Sequence, residues 1–173
     1  GPALVAQFYT PLATNDAVTV GDAVNAARLL IGADHGVYES LDSGHTITLI
    51  TPVSPVVRVN AFRGDPIVYG VPGNPGFILL GAGTGVFLRT AASGAPAQVS
   101  TLPATVADVA VDRDAPARLF AMTNSAVFFS TDSGATIPAV TGNLISAFNP
   151  GTLRTMAFIP SATAAIVAGT DRG

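Results

Sequence analysis

Residues 29–44 read LLIGADHGVYESLDSG, and residues 119–134 read LFAMTNSAVFFSTDSG. Each stretch holds a short apolar run, a small polar turn and a run of β-branched and aromatic residues. Each then closes on Ser-x-Asp-x-Gly: Ser40, Asp42 and Gly44, and again Ser130, Asp132 and Gly134. Apolar runs of four or five residues split by turn residues suit buried strands in a hairpin, and are too short for globular helices. Residues 78–94, ILLGAGTGVFLRTAASG, repeat the pattern with the closing motif decayed to Thr90, Ala92 and Gly94. Residues 165–173, AIVAGTDRG, repeat its first half.

The anchors Gly36, Gly85, Ala126 and Gly173 fall 49, 41 and 47 residues apart. A period in the forties is the length of a four-stranded propeller blade. Further strands are expected upstream, at Val57–Ala61, Val106–Val111 and Leu153–Ile159, and downstream, at Thr46–Ile50, Gln98–Leu102 and Thr136–Val140. Asp65–Gly76, with Pro66, Pro72 and Pro75, is expected to form a loop that absorbs the longer first spacing. The units are then 18–50, 56–102, 106–140 and 153–173, in one segment spanning 1–173. Residues 1–12, through Phe8 to Leu12, read as the fourth strand of a neighbouring blade.

The 173 residues are 49% hydrophobic but only 11% charged, with 18 Gly and 13 Pro. This fits short buried strands and tight turns rather than disorder. All eight basic residues are Arg and Glu39 is the sole Glu. Exposed helices, which draw on Glu and Lys, are therefore not expected. A net charge of −3 gives no footprint for nucleic acid or an anionic membrane. The absence of Cys excludes disulfides and thiolate metal sites. No apolar run approaches the ~20 residues of a spanning helix, so membrane insertion is not expected. No cofactor is expected either.

The Ser-x-Asp-x-Gly copies, followed by Thr46-Ile47 and Thr136-Ile137, resemble the Asp-box, or bacterial neuraminidase, repeat, with Ile at the usual Trp position. The resemblance implies an all-β propeller of four-stranded blades, with roughly three to four blades here, a partial or half propeller. It implies a structural role for Ser40, Asp42, Gly44, Ser130, Asp132 and Gly134, in the turn between third and fourth strands. It also implies a secreted, cell-surface or periplasmic location. Relatives of that type include sialidases, xyloglucan-degrading glycosidases, sortilin-type receptors and photosystem assembly factors. Their functions differ, so the fold alone does not set the activity.

Sialidase chemistry needs an arginine cluster, a Tyr–Glu pair and an acid. Ala61–Pro66 only echoes the arginine-bearing motif of those enzymes. Another glycosidase needs two carboxylates facing each other across a sugar. The candidates are Asp34, Asp108, Asp112, Asp114 and Asp171, with Asp34 and Asp171 first because both fall in turns between second and third strands. The competing reading makes them turn caps, with Asp108 held by a backbone or arginine partner. His35 and His45 are the only histidines and sit on opposite sides of a strand, so no metal site is expected. Gly81–Gly85 has no following helix to hold a phosphate and reads as a hairpin turn. Arg58, Arg154 and Arg172 are candidates for a cluster at a channel mouth.

The function expected is a non-catalytic recognition or assembly module that binds a protein or glycan, its ring completed by a second copy or by the rest of a larger protein. One alternative is the substrate-binding part of a glycoside hydrolase. Another is a trimmed or engineered propeller fragment with no ligand, suggested by the Gly1-Pro2 start.

Overall fold

The period-two runs of Leu, Ile, Val and Phe become antiparallel strands because alternate residues can then enter two different cores. The computed structural model describes residues 12–15, 27–33, 36–51, 66–160 and 165–172. Its first sheet is an up-and-down meander of β1 (Leu12–Thr14), β2 (Leu29–Ala33), β3 (Gly36–Ser40) and β4 (Thr48–Thr51). The second repeats it with β5 (Ile67–Val71), β6 (Asn74–Ala82), β7 (Gly85–Arg89) and β8 (Ala97–Thr101). The third holds β9 (Asp108–Val111), β10 (Leu119–Met122) and β11 (Val127–Ser130), and the last pairs β12 (Leu153–Ile159) with β13 (Ala165–Thr170).

The hairpins β2–β3, β6–β7 and β10–β11 carry the repeat in matched register, with Ile31 opposite Tyr38, Leu80 opposite Phe87 and Ala121 opposite Phe128. Gly81–Gly85 is the turn of the second of these hairpins. The sheets face one another in chain order. Leu30 and Val37 meet Ile67, Tyr69 and Ile78 between the first and second. Leu79, Val86 and Leu88 meet Val109, Leu119 and Phe128 between the second and third. Phe120 and Met122 meet Leu153 and Met156 between the third and fourth. Each fully buried Leu in such a layer is worth roughly 1.5–3 kcal/mol of transfer free energy. The first strands run side by side, β1 against β5, β5 against β9 and β9 against β12. They form the inner arc of a propeller-like arrangement.

The structure corrects three expectations. Ile67–Val71, inside the stretch expected as a loop, is the first strand of the second sheet. Its β-branched and aromatic residues form a hairpin with β6 through the Pro72-Gly73 turn, where Gly73 takes a positive φ of 77°. Val57–Ala61 lies outside the described residues. Leu12, expected to end a neighbouring blade's fourth strand, instead opens β1, the first strand of the first sheet; residues 8–11 are outside the described range. Thr136–Val140 makes only an isolated bridge, Phe128 with Ala139. Pro138 has no N–H to donate to the ladder there, although its carbonyl still accepts from Phe129 N at 3.1 Å. A short helix, α1 (Leu144–Phe148), follows and buries none of its residues.

Candidate functional site: a cleft at the inner arc

Three classes of polar site emerge from these sheets. The first is the turn after the third strand. Ser40 Oγ donates to Asp42 Oδ1 at 2.8 Å and accepts Gly44 N at 2.8 Å, while Asp42 Oδ1 accepts Thr46 N at 2.8 Å. Ser130, Asp132, Gly134 and Thr136 repeat this at 2.8, 2.8 and 2.9 Å. Gly44 and Gly134 have φ of 88° and 86°, a region that favours glycine. The Thr46 amide, with the Thr46 and Ser40 hydroxyls, holds the Asp42 carboxyl down at about 2. The Thr136 amide lowers Asp132 by the same means. Both carboxylates are spent within their own turns. His45 Nδ1 lies 2.7 Å from the Asp42 carbonyl, and no cluster of three metal-binding side chains occurs among the described residues.

Where the motif has decayed, a different device holds the turn. Arg89, at the end of β7, donates from Nε to Gly76 O at 2.7 Å and from Nη1 to Gly94 O at 2.8 Å. Its fork also reaches across to the first sheet, pairing with Glu39 at 2.5 and 3.0 Å. Tyr69 Oη donates to the same carboxylate at 2.6 Å. All three side chains are buried. Burial opposes ionisation of Glu39, but the hydrogen bonds from Arg89 and Tyr69 and the Arg89 charge outweigh it, and the carboxyl lies below its usual value. Burial, then the Glu39 hydrogen bond and charge, raise the Tyr69 phenol. This is an inter-sheet clamp, closed to substrate.

The second class is the remaining candidate carboxylates on the first strands and the outer turns. Asp108 Oδ2 accepts Met156 N at 2.7 Å and Thr155 Oγ1 at 3.1 Å, tying β9 to β12. Asp171 follows β13, accepts Thr152 N at 2.8 Å and pairs with Arg154 at 3.3 Å. The Thr152 amide first, and Arg154 after it, hold its carboxyl below the ordinary value. Asp34 and His35 lie outside the described residues, as do Arg58 and residues 61–65 of the sialidase-like echo. Arg172 Nη1 donates to Asn149 O at 3.1 Å, so Arg154 and Arg172 hold the backbone and carboxylate of their own sheet's turns.

The third class is a cleft of about 430 Å³ at the inner arc, where all four first strands contribute walls. Thr14, Val68, Val111 and Phe158 line it, and the turn Asp112-Arg113-Asp114 forms its polar rim. Asp112 fixes that turn, accepting Asp114 N at 3.1 Å and pairing with Arg118 at 3.0 Å. Arg113 and Asp114 are exposed above it. Among the described carboxylates, Asp114 alone has a side chain with no partner. The sequence offers Asp112 and Asp114 as candidates but prefers Asp34 and Asp171. The signal favouring the rim is its place directly after an inner strand. A second concavity of about 490 Å³, between the third and fourth sheets, is lined by apolar residues around Phe120 and Phe129 with Thr141 its single polar contributor.

Consecutive antiparallel meanders with first strands side by side define an all-β, propeller-like fold. No protein-family model and no curated protein matches the chain. Among solved structures, it is similar to the crystal structure of an ancestral GH74 enzyme, with a TM-score of 0.53 and 18% identity. The match covers 91% of this chain and 22% of that one, so the chain spans less than a quarter of the enzyme's length. At that identity the likeness shows the fold. No helix among the described residues is long and apolar enough to cross a membrane.

Proposed function

We propose that this chain is a partial β-propeller of four-stranded blades, with Asp-box turns, that recognises a glycan at its inner arc without performing hydrolysis by itself. The observation that carries this reading is the division of labour among the carboxylates. Glycoside hydrolysis takes two carboxyl groups, about 5 to 9.5 Å apart, both free to face the sugar. Of the described carboxyls, Glu39, Asp42, Asp108, Asp112, Asp132 and Asp171 each hold a backbone amide, a hydroxyl or an arginine. Asp114 remains for a ligand.

The cleft offers what a sugar needs for binding. Asp114 is a planar polar group for paired hydroxyls, Thr14 adds a hydroxyl, and the Phe158 ring offers an apolar face for sugar C–H groups. The GH74 neighbour supports a polysaccharide as ligand over a protein, and the same likeness supports action outside the cytoplasm. The test is calorimetric titration with xyloglucan and mixed-linkage β-glucan oligosaccharides, alongside a reducing-sugar assay. Saturable binding without turnover is expected, weakened about tenfold, or ~1.4 kcal/mol, in Asp114→Asn. Turnover by the isolated chain, or no binding to any oligosaccharide, would contradict the proposal.

A further inference from the structure

The walls of the inner-arc cleft belong to different sheets, so the gap between them is set by contacts from sheet to sheet. Ala13 and Thr14 of β1 line it from the first sheet, and Ile67, Val68 and Tyr69 of β5 line it from the second. Asn15 and Gly70, which directly follow these two walls in sequence, meet each other. Asn15 N donates to Arg28 O at 3.1 Å, which keeps its backbone in the first sheet one step past the Thr14–Leu29 pair. Its side chain leaves that sheet: Nδ2 donates to Pro75 O of β6 at 2.5 Å, across 60 positions of sequence.

Gly70 makes this reach possible. A Cβ on Gly70 would lie 2.1 Å from Asn15 Oδ1, 2.6 Å from its Cγ and 2.9 Å from its Nδ2, so the carboxamide fills the place of the missing side chain. Gly70 is buried, with a φ of 72°, at the irregularity in the β5–β6 ladder between Tyr69 and Val71. The adjoining Tyr69 is held to the first sheet as well, through its hydrogen bond to Glu39. The wall from the second sheet is thereby fixed to the first at two successive residues, Tyr69 by Glu39 and Gly70 by Asn15. Asp112, which follows β9 as Asn15 follows β1, turns instead to Arg118 of its own sheet.

We infer that Asn15 is a positioning residue for the cleft, holding the Thr14 hydroxyl in register with the Val68–Tyr69 wall so that both meet one ligand. The inference rests on the reading of the cleft as a glycan site. A sugar is bound through several groups at once, and each contact counts fully only when its protein partner is held in place beforehand. Thr14 itself is exposed, so its place is set by the backbone that Asn15 anchors and not by packing of its own side chain. Asn15 acts on the ligand through Thr14.

The experiment is calorimetric titration of xyloglucan and mixed-linkage β-glucan oligosaccharides into the wild type, Asn15→Ala, Thr14→Val and the double variant, with a melting temperature for each. Asn15→Ala is expected to bind about fivefold more weakly, the worth of one neutral hydrogen bond. Thr14→Val is expected to lose affinity too, and Asn15→Ala added to it should cost nothing further. A residue that only stabilised the fold would lower the melting temperature without that coupling. If Asn15→Ala fails to fold, Asn15→Ser, whose shorter side chain stops short of Pro75, takes its place in the same cycle. A wild type that binds while the Asn15 variant binds equally well overturns the inference and leaves the glycan reading standing. Losses from the Asn15 and Thr14 variants that simply add do the same. A wild type that binds no oligosaccharide overturns both.

Discussion

Asp42 and Asp132 accept amide and hydroxyl hydrogen bonds from residues no more than four positions away, so the bonds their carboxylates make are set by local sequence. That locality explains why the Ser-x-Asp-x-Gly spacing could be read without a structure: the atoms that meet are set by chain geometry, not by packing. It also ties the turns to pH. The native carboxyl of Asp42 titrates at about 2, below the ordinary 3.8, and Asp132 is displaced in the same direction. A depressed native pKa means that the ionised form is favoured on folding. Its contribution is complete above the ordinary value and fades as pH falls from about 4 toward 2. The melting temperature should therefore hold steady down to about pH 5 and decline below it. Measured against pH, the double variant Asp42→Asn/Asp132→Asn should start lower and decline less steeply than the wild type in that acid range. An equal decline in both would assign the acid sensitivity to other groups.

The sheets show where sequence reading succeeds and where it stops. Hairpins β2–β3, β6–β7 and β10–β11 were legible because each apolar run, turn and aromatic run is contiguous. The Pro and Gly residues around β5 hid a strand, since the same residues that mark a loop also make the Pro72-Gly73 hairpin turn. Thr136–Val140 misled in the opposite sense: its β-branched residues suit a strand, but Pro138 interrupts the ladder. The Glu39–Arg89–Tyr69 clamp was not legible at all. Its ion pair spans 50 positions, and only the packing of one sheet on the next brings the groups together. Glu39→Gln or Arg89→Met leaves the other charged partner buried and should cost about 3–5 kcal/mol by denaturant unfolding. Glu39→Leu combined with Arg89→Met, which buries no lone charge, should recover most of that loss. Additive losses in the double variant would contradict a clamp that acts as one unit.

Across the whole molecule, the order of the sheets converts local repeats into one shared surface. Four first strands, distant in sequence, wall a single cleft, and the turn after β9 brings Arg113 and Asp114 to its rim. Sequence spacing could name Asp112 and Asp114 as candidates. It could not rank them above Asp171, because only the structure shows that Asp171 is bound to Thr152 and Arg154, while the Asp114 carboxylate has no such partner among the described residues. Among the described residues, the aspartates that hold turns are thus distinct from Asp114, the one proposed to meet a ligand. The most direct test is to measure the melting temperature and xyloglucan-oligosaccharide affinity together for Asp114→Asn and Asp132→Asn. Asp114→Asn is expected to keep the wild-type melting temperature and lose affinity, while Asp132→Asn melts earlier and binds as the wild type does. Loss of affinity in Asp132→Asn with Asp114→Asn unaffected would contradict that distinction.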